Sequence, residues 1–107
     1  MGNHLTGTFF GTANHEAFIQ GIQQAVNSLN GQQGIYAGDN LFTYHRNLGF
    51  LDDEPFMKAF AKHTNTEIEH AVLWRMSTIL WGVRNGLRLE GDFVECACYK
   101  GTTVRVV

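Results

Sequence analysis

An apolar stripe too wide for one face of a helix runs through the second half of the sequence. Its residues recur at steps of three and four: Ile68, Val72, Met76, Ile79, Val83 and Leu87. The stripe is widened by Leu73, Trp74, Leu80 and Trp81 until it covers most of the helix circumference. Two overlapping capping boxes precede it, Thr64 with Glu67 and Thr66 with Glu69. The pattern predicts one long helix that ends near Gly86 and is buried on more than one side.

Two further helices are predicted upstream. Asn14 can cap a helix whose apolar residues continue at helical spacing up to Asn30. A second helix should run from about Asp53 to Lys62, because Pro55 in the first turn forfeits no hydrogen bond. Residues 30 to 40 contain three glycines and are predicted to form a loop. Residues 1 to 12 are predicted to be an irregular arm that could include a short extended piece.

The sequence GDFVECACYKGTT, residues 91 to 103, has the features of a strand that delivers a loop to a ligand. The run from Phe93 to Cys98 is rich in β-formers and apolar on both faces apart from Glu95, which is typical of a central parallel strand. A helix could begin at Thr102. Ligands of open α/β sheets bind beyond the carboxyl ends of the strands, and helix starts can hold anionic groups. A carboxylate there suits a cationic cofactor better than a pyrophosphate.

Composition excludes several partners. The 8 basic and 10 acidic residues give a net charge of -2, so no electrostatic footprint for nucleic acid or an anionic membrane is present. The longest strongly apolar stretch, residues 71 to 83, contains Arg75 and is shorter than the roughly 20 residues of a membrane span. No secretory signal is visible at the N-terminus. A cytoplasmic location is therefore expected, with Cys96 and Cys98 reduced.

The histidines and cysteines do not form a recognisable metal motif. Glu67 and His70 match the Glu-x-x-His element of di-iron bundles, but no second such element occurs in the sequence. Cys96 and Cys98 lack the spacing and the second ligand pair of a zinc site. We therefore expect no metal in this chain.

Three segments together resemble a known enzyme family. They are DNLFTYHRNLGFLDDEPFMKAF, EIEHAVLWRMSTILWGVRNGL and GDFVECACYKGTT, which lie within residues 38 to 107. They are similar to the S-adenosylmethionine-dependent O-methyltransferases of the macrocin O-methyltransferase-like group. That class I group has a strand ending in glutamate, followed by a glycine, an aromatic and a basic residue, and a glycine with hydroxyl residues. This sequence departs from the pattern at Ala97, where the family usually has glycine.

The resemblance implies a fold, a cofactor and a set of site residues. The cofactor-binding positions that it implies are Glu95, Ala97, Cys98, Tyr99, Gly101, Thr102 and Thr103. Residues 1-88 would be a helical N-terminal or lid region of an α/β, Rossmann-like enzyme, and residues 89-107 its first strand, cofactor loop and first helix start. The parent enzyme would methylate a hydroxyl of a small molecule of sugar or natural-product type, and it could be a homo-oligomer.

The same resemblance places the rest of the active site outside these residues. The catalytic groups, the ribose and adenine contacts and any divalent metal would follow residue 107, so the 107-residue chain alone is expected to be inactive. A second interpretation stays open. The chain could be a self-contained helical interaction module whose terminal strand adds to the sheet edge of a protein partner.

Overall fold

The structure is a computed structural model that describes residues 2–95 and 101–107. It confirms a mixed α/β chain, about half helical, with three strands in one mixed sheet. The strands are β1 (His4–Leu5), β2 (Ile35–Gly38) and β3 (Leu41–Tyr44). The α-helices are α1 (His15–Asn27), α2 (Glu54–His63), α3 (Glu67–Ala71), α4 (Leu73–Gly86) and α5 (Thr102–Val106). A 3₁₀ helix, Gly49–Asp52, leads into α2.

The sheet is built around β2, which pairs in parallel with β1 and antiparallel with β3. The parallel pairing continues past β1, because the Thr6 N–H donates to the Ala37 carbonyl at 2.8 Å. β2 and β3 are joined by a two-residue turn in which Asp39 and Asn40 have φ of 51° and 60°. Positive φ at both positions is the geometry of the tight hairpin turns that suit twisted strands.

The sheet corrects two expectations. The segment predicted to be a loop, residues 30 to 40, contains β2, and the region predicted to be helical, residues 1-88, contains all three strands of the sheet. Every residue of β2 is buried, so it shows no alternation of polar and apolar residues that would have identified it. The arm of residues 1 to 12, which could include a short extended piece, contains β1.

The parallel strand predicted at Phe93 to Cys98 is not formed over its first three residues. Phe93, Val94 and Glu95 are exposed and carry no strand hydrogen bonding. The remainder of that run, including Ala97 and Cys98, lies outside the described residues, as does Tyr99. A strand is stable only when a neighbouring strand pairs with it, and the sheet of this structure lies among residues 4 to 44.

The two upstream helices are confirmed. Asn14 caps α1 by accepting a hydrogen bond from the Ala17 N–H at 3.1 Å. Asp53 caps α2 by accepting from the Phe56 N–H at 3.2 Å. The expected helix at Thr102 is also present as α5.

The long helix is interrupted. Val72 has φ of -89° and ψ of 15°, and this separates α3 from α4. Of the two capping boxes, Thr66 caps α3 as expected, whereas the Thr64 hydroxyl donates backwards to the Phe60 carbonyl at 2.6 Å. Glu67 accepts instead from the Gly7 N–H at 2.8 Å, so this carboxylate ties the N-terminal arm to α3.

One core joins the sheet to the helices. Its buried members are Tyr36, Leu48, Phe56, Phe60, Leu73, Met76 and Val106. The expectation that the apolar helix is buried on more than one side is wrong for the second half of α4, where Trp81 is 69% exposed. Ile68 and Leu87, at the two ends of the stripe, are also exposed.

In the part of the chain that the structure describes, none of the helices has the length and apolar character needed to cross a bilayer.

Candidate cofactor loop and its surroundings

Gly101 sets the geometry at the end of the predicted cofactor loop. Its φ of 72° and ψ of 18° lie in the left-handed region, and it is the residue from which α5 begins. The carbonyl of Gly101 accepts the first helical hydrogen bond, from the Arg105 N–H at 3.1 Å. A Cβ at this position would meet nothing closer than 3.9 Å, so backbone conformation and not space favours glycine here.

The structure places four of the seven predicted cofactor residues. Glu95 is exposed, and Gly101, Thr102 and Thr103 are partly buried at the start of α5. Ala97, Cys98 and Tyr99 fall in the undescribed segment. Glu95 and Gly101 therefore bracket the loop, and the described residues supply an accessible carboxylate on one side of it and a glycine-led helix start on the other.

Helix α5 is anchored in the core at its C-terminal end. Val106 is buried with Phe56 and Phe60 of α2 and with Leu73 of α4. The helix packs against both α2 and α4. The element that follows Gly101 is therefore held against these two helices.

A cleft of about 490 Å³ lies between the start of α2 and the middle of α4. We call it the tryptophan cleft. Its walls include Phe50, Asp53, Trp74, Trp81 and Arg84. Trp74 and Trp81 are the only tryptophans in the chain, so indole fluorescence reports on this cleft alone.

An ion pair closes one side of this cleft. The Arg84 guanidinium lies 2.8 Å from Asp53 Oδ2, while Asp53 Oδ1 caps α2. The hydrogen bond from Arg84 holds the pKa of the Asp53 carboxyl below its usual value, and the capping hydrogen bond acts in the same direction. The carboxylate is therefore charged at neutral pH and is already engaged by two donors.

A second polar cluster lies at the break between α3 and α4. The Tyr36 hydroxyl donates to the Ala71 carbonyl and accepts from the Trp74 N–H, both at 2.9 Å. His4, opposite Tyr36 in the sheet, stacks on the phenol ring and places Nε2 2.7 Å from the His70 carbonyl. Burial raises the pKa of the Tyr36 phenol and lowers the pKa of the His4 imidazole. Both rings are thus held neutral and satisfy backbone groups.

The hairpin turn is also tied to α4. Arg75 donates from Nε and Nη2 to both carboxylate oxygens of Asp39, at distances from 2.6 to 3.1 Å. Sequence reasoning missed this pair and the Tyr36 cluster. The adjacent Asp39 and Asn40 are turn residues and could have indicated a hairpin. No sequence signal connects Tyr36 with residues 71 to 74.

Among residues 2–95 and 101–107, no three His, Cys, Asp or Glu side chains are grouped as a metal site would require. Comparison with known proteins finds no matching family model, no matching curated protein and no matching solved structure.

Proposed function

We propose that these residues form the N-terminal portion of an S-adenosylmethionine-dependent methyltransferase that methylates a hydroxyl of a small molecule. The observation that carries the proposal is Gly101, which has a left-handed backbone and opens a helix at Thr102. The methyltransferase pattern requires a glycine and a helix start at these positions of its cofactor loop. The finer fold assignment, a Rossmann-like domain that begins near Phe93, belongs to the same proposal.

The described loop residues fit the methionine end of the cofactor. Glu95 offers an exposed carboxylate that can accept hydrogen bonds from an ammonium group. Gly101 lets the main chain approach a ligand closely, because it carries no side chain. Thr102 and Thr103 offer hydroxyls and backbone N–H groups at the helix start. When bound, the cofactor would supply an electrophilic sulfonium methyl group, and these residues would bind and orient it.

The exposure of Phe93 and Val94 supports the proposal. Phe93 is 60% and Val94 86% exposed, although both are strong β-formers. A central parallel strand is covered on both faces by elements packed on its sheet, and the described residues supply no such cover for this segment. In the proposed enzyme, strands and helices outside these residues pair with the segment and cover it.

The tryptophan cleft is the proposed side of approach for the methyl acceptor. One wall of the cleft is α4, and the last residue of that helix, Gly86, lies beside Phe93 at the entrance to the cofactor loop. Its exposed Trp81 ring can pack against the apolar part of an acceptor, while the outer edge of the Arg84 guanidinium remains exposed for a polar contact.

Calorimetric titration of the full-length enzyme with S-adenosylmethionine tests the proposal. We expect saturable binding that is lost or strongly weakened by Gly101→Val, because a β-branched residue is strained in the left-handed region. The matched control is Gly31→Val. Gly31 also has a positive φ, of 95°, and open space around its Cβ position, but it lies far along the chain from the loop. Its variant should lose stability and keep the wild-type affinity.

Two results would contradict this assignment. Absence of cofactor binding by the wild-type enzyme removes the methyltransferase function. Wild-type affinity in the Gly101→Val protein, with Gly31→Val behaving in the same way, removes the loop from the cofactor site.

The alternative function is a helical interaction module that presents an exposed strand edge. The exposed Phe93 and Val94 favour it as well, since an apolar β-forming segment can add to the sheet of a protein partner. The cofactor titration separates the two, because the interaction module has no reason to bind S-adenosylmethionine.

A further inference from the structure

The N-terminal third of the chain is almost without charge. Glu16 is the only Asp, Glu, Lys or Arg residue among residues 1 to 38. The other ionisable side chains in that stretch are those of His4, His15 and Tyr36, and the Tyr36 phenol is buried and neutral. A surface segment of this length normally carries interspersed charges, which keep a soluble protein from associating.

An open groove of about 710 Å³ lies within this uncharged region, between α1, the arm that precedes it and the hairpin. We call it the aromatic groove. Its apolar walls are Phe9, Phe10, Phe18, Ile22 and Phe42, and its polar walls include the uncharged Asn14 and Asn40. The rings of Phe9 and Phe18 meet at a centroid distance of 5.1 Å. No residue that lines the groove carries a charge.

α1 leaves most of its apolar stripe uncovered. Phe18, Ile22 and Val26 recur along one side of the helix, yet Val26 is the only buried residue of α1. Phe10 beside the groove is 52% exposed, and Phe18 is 40% exposed. Amphipathic helices of this length are normally stabilised by burying that stripe.

We propose that the aromatic groove and the adjacent stripe of α1 form the contact between two copies of this chain. A twofold interface places the same surface patch of each copy against the other, so it favours patches that hold both a projection and a recess. The patch described here offers a recess, lined by Phe9, Phe18 and Phe42, and beside it the half-exposed Phe10 ring, which we propose enters the recess of the other copy.

The absence of charge selects a second copy over other partners. A residue that lies on a twofold axis faces the same residue of the other copy. A charged residue there would therefore meet a like charge. Amides do not have this difficulty, because an amide donates and accepts and can pair with its copy. The polar side chains that line the groove are those of Thr12, Asn14 and Asn40, and none of them is charged. Nucleic acid, acidic peptides and anionic lipid surfaces would each require cations that this region lacks.

Sedimentation velocity on the 107-residue chain, from micromolar to submillimolar concentration, tests the proposal. We expect a monomer–dimer equilibrium in the wild-type chain and a dimer weakened about tenfold or more in Phe10→Asp, because an aromatic anchor is replaced by facing carboxylates. The matched control is Leu89→Asp. Leu89 is 77% exposed and lies outside the groove, so its variant should dimerise as the wild type does.

A second measurement identifies the contacting surface. In a mixture of isotope-labelled and unlabelled chains, isotope-filtered NMR should show contacts between the Phe10 ring of one copy and Phe18 or Ile22 of the other. A separate amide NMR spectrum of the Phe10→Asp variant establishes that it is folded.

Three results would overturn the proposal. The first is a wild-type chain that stays monomeric at submillimolar concentration. The second is a folded Phe10→Asp variant that dimerises normally. The third is equal weakening by Phe10→Asp and Leu89→Asp, which would mean unspecific apolar association. The proposal does not depend on methyl transfer, since neither variant touches the cofactor loop.

Discussion

The Tyr36 hydroxyl accepts a hydrogen bond of 2.9 Å from the backbone N–H of Trp74, across the break between α3 and α4. The same hydroxyl donates to the Ala71 carbonyl on the other side of the break. One phenol from the middle strand therefore replaces backbone hydrogen bonds that the interruption at Val72 removes. Tyr36 itself is fully buried, and its ring packs edge-on against Phe50 and Trp74.

We predict that Tyr36→Phe lowers the free energy of unfolding by about 1 to 3 kcal/mol, because it leaves a donor and an acceptor without a partner in the protein interior. Urea denaturation measures the effect. The matched control is Tyr44→Phe, whose hydroxyl lies 3.3 and 3.4 Å from two exposed carbonyls. The control should cost less than about 0.5 kcal/mol. Equal costs would mean that the Tyr36 hydroxyl does not stabilise the break.

Stability should fall in mild acid because of His4. Burial lowers the pKa of this imidazole in the folded protein, so the unfolded chain, with a histidine pKa of about 6.5, binds a proton more readily. The contribution of the neutral ring is therefore present above about pH 6.5 and is lost as the pH falls through the folded pKa. Urea denaturation between neutral and acid pH should show this decline in the unfolding free energy.

His4→Gln is the control for that pH dependence. The glutamine amide can still donate to the His70 carbonyl that His4 now reaches, but it does not titrate. The variant should show a flatter dependence of stability on pH than the wild type. An identical decline in both proteins would assign the acid sensitivity to other groups.

Two glycines should respond oppositely to the same substitution. Gly38 has a φ of 151°, and an added Cβ would collide with the hydroxyl of Thr6. Gly38→Ala should therefore destabilise the protein by more than about 1 kcal/mol. Gly21 lies inside α1 with no atom near its Cβ position, so Gly21→Ala should stabilise by about 0.5 to 1 kcal/mol. Thermal denaturation of both variants distinguishes a steric effect from a general preference for alanine.

In the proposed enzyme, Ala97→Gly should keep or improve the affinity for S-adenosylmethionine. The family pattern has glycine at this position, and removal of a methyl group gives the methionine end of the cofactor more room. Calorimetry measures the change. A marked loss of affinity would mean that the family pattern is aligned wrongly on residues 95 to 103.

The 107-residue chain alone should not bind S-adenosylmethionine at millimolar concentration. In the proposed enzyme the ribose and adenine are held by residues that follow residue 107, so little of the cofactor would be buried by the 107-residue chain. A titration followed by amide NMR tests this expectation. Saturable shifts centred on residues 95 to 103 would show that the chain is sufficient for binding.

Local signals predicted the helices well. Asn14, Asp53 and Thr66 each cap a helix, as their side chains and positions indicated. Gly101 precedes α5 as expected. Its left-handed backbone conformation favours glycine, and the glycine is visible in the sequence. These features depend on neighbours within a few residues, which is the range over which sequence patterns are informative.

Long-range contacts decided the features that sequence analysis missed. The break at Val72 lies within an unbroken helical pattern, and Tyr36, about 35 residues away along the chain, satisfies the backbone groups on both sides of it. Conversely, Phe93 and Val94 have a strand pattern, but among residues 2–95 and 101–107 no strand pairs with them. Of the candidate site, the sequence predicted the glycine-led helix start but neither the Asp53–Arg84 pair nor the tryptophan cleft.

The connection between β1 and β2 has a consequence for how the molecule opens. These parallel strands are joined through α1, whose only buried residue is Val26, while the strands themselves are held by backbone hydrogen bonds and by His4 and Tyr36. The helix can therefore unwind and re-form without separating the strands. Amide hydrogens of α1 should exchange with solvent through small local fluctuations, whereas those of β2 and of the first turns of α4 should exchange through cooperative unfolding of the core.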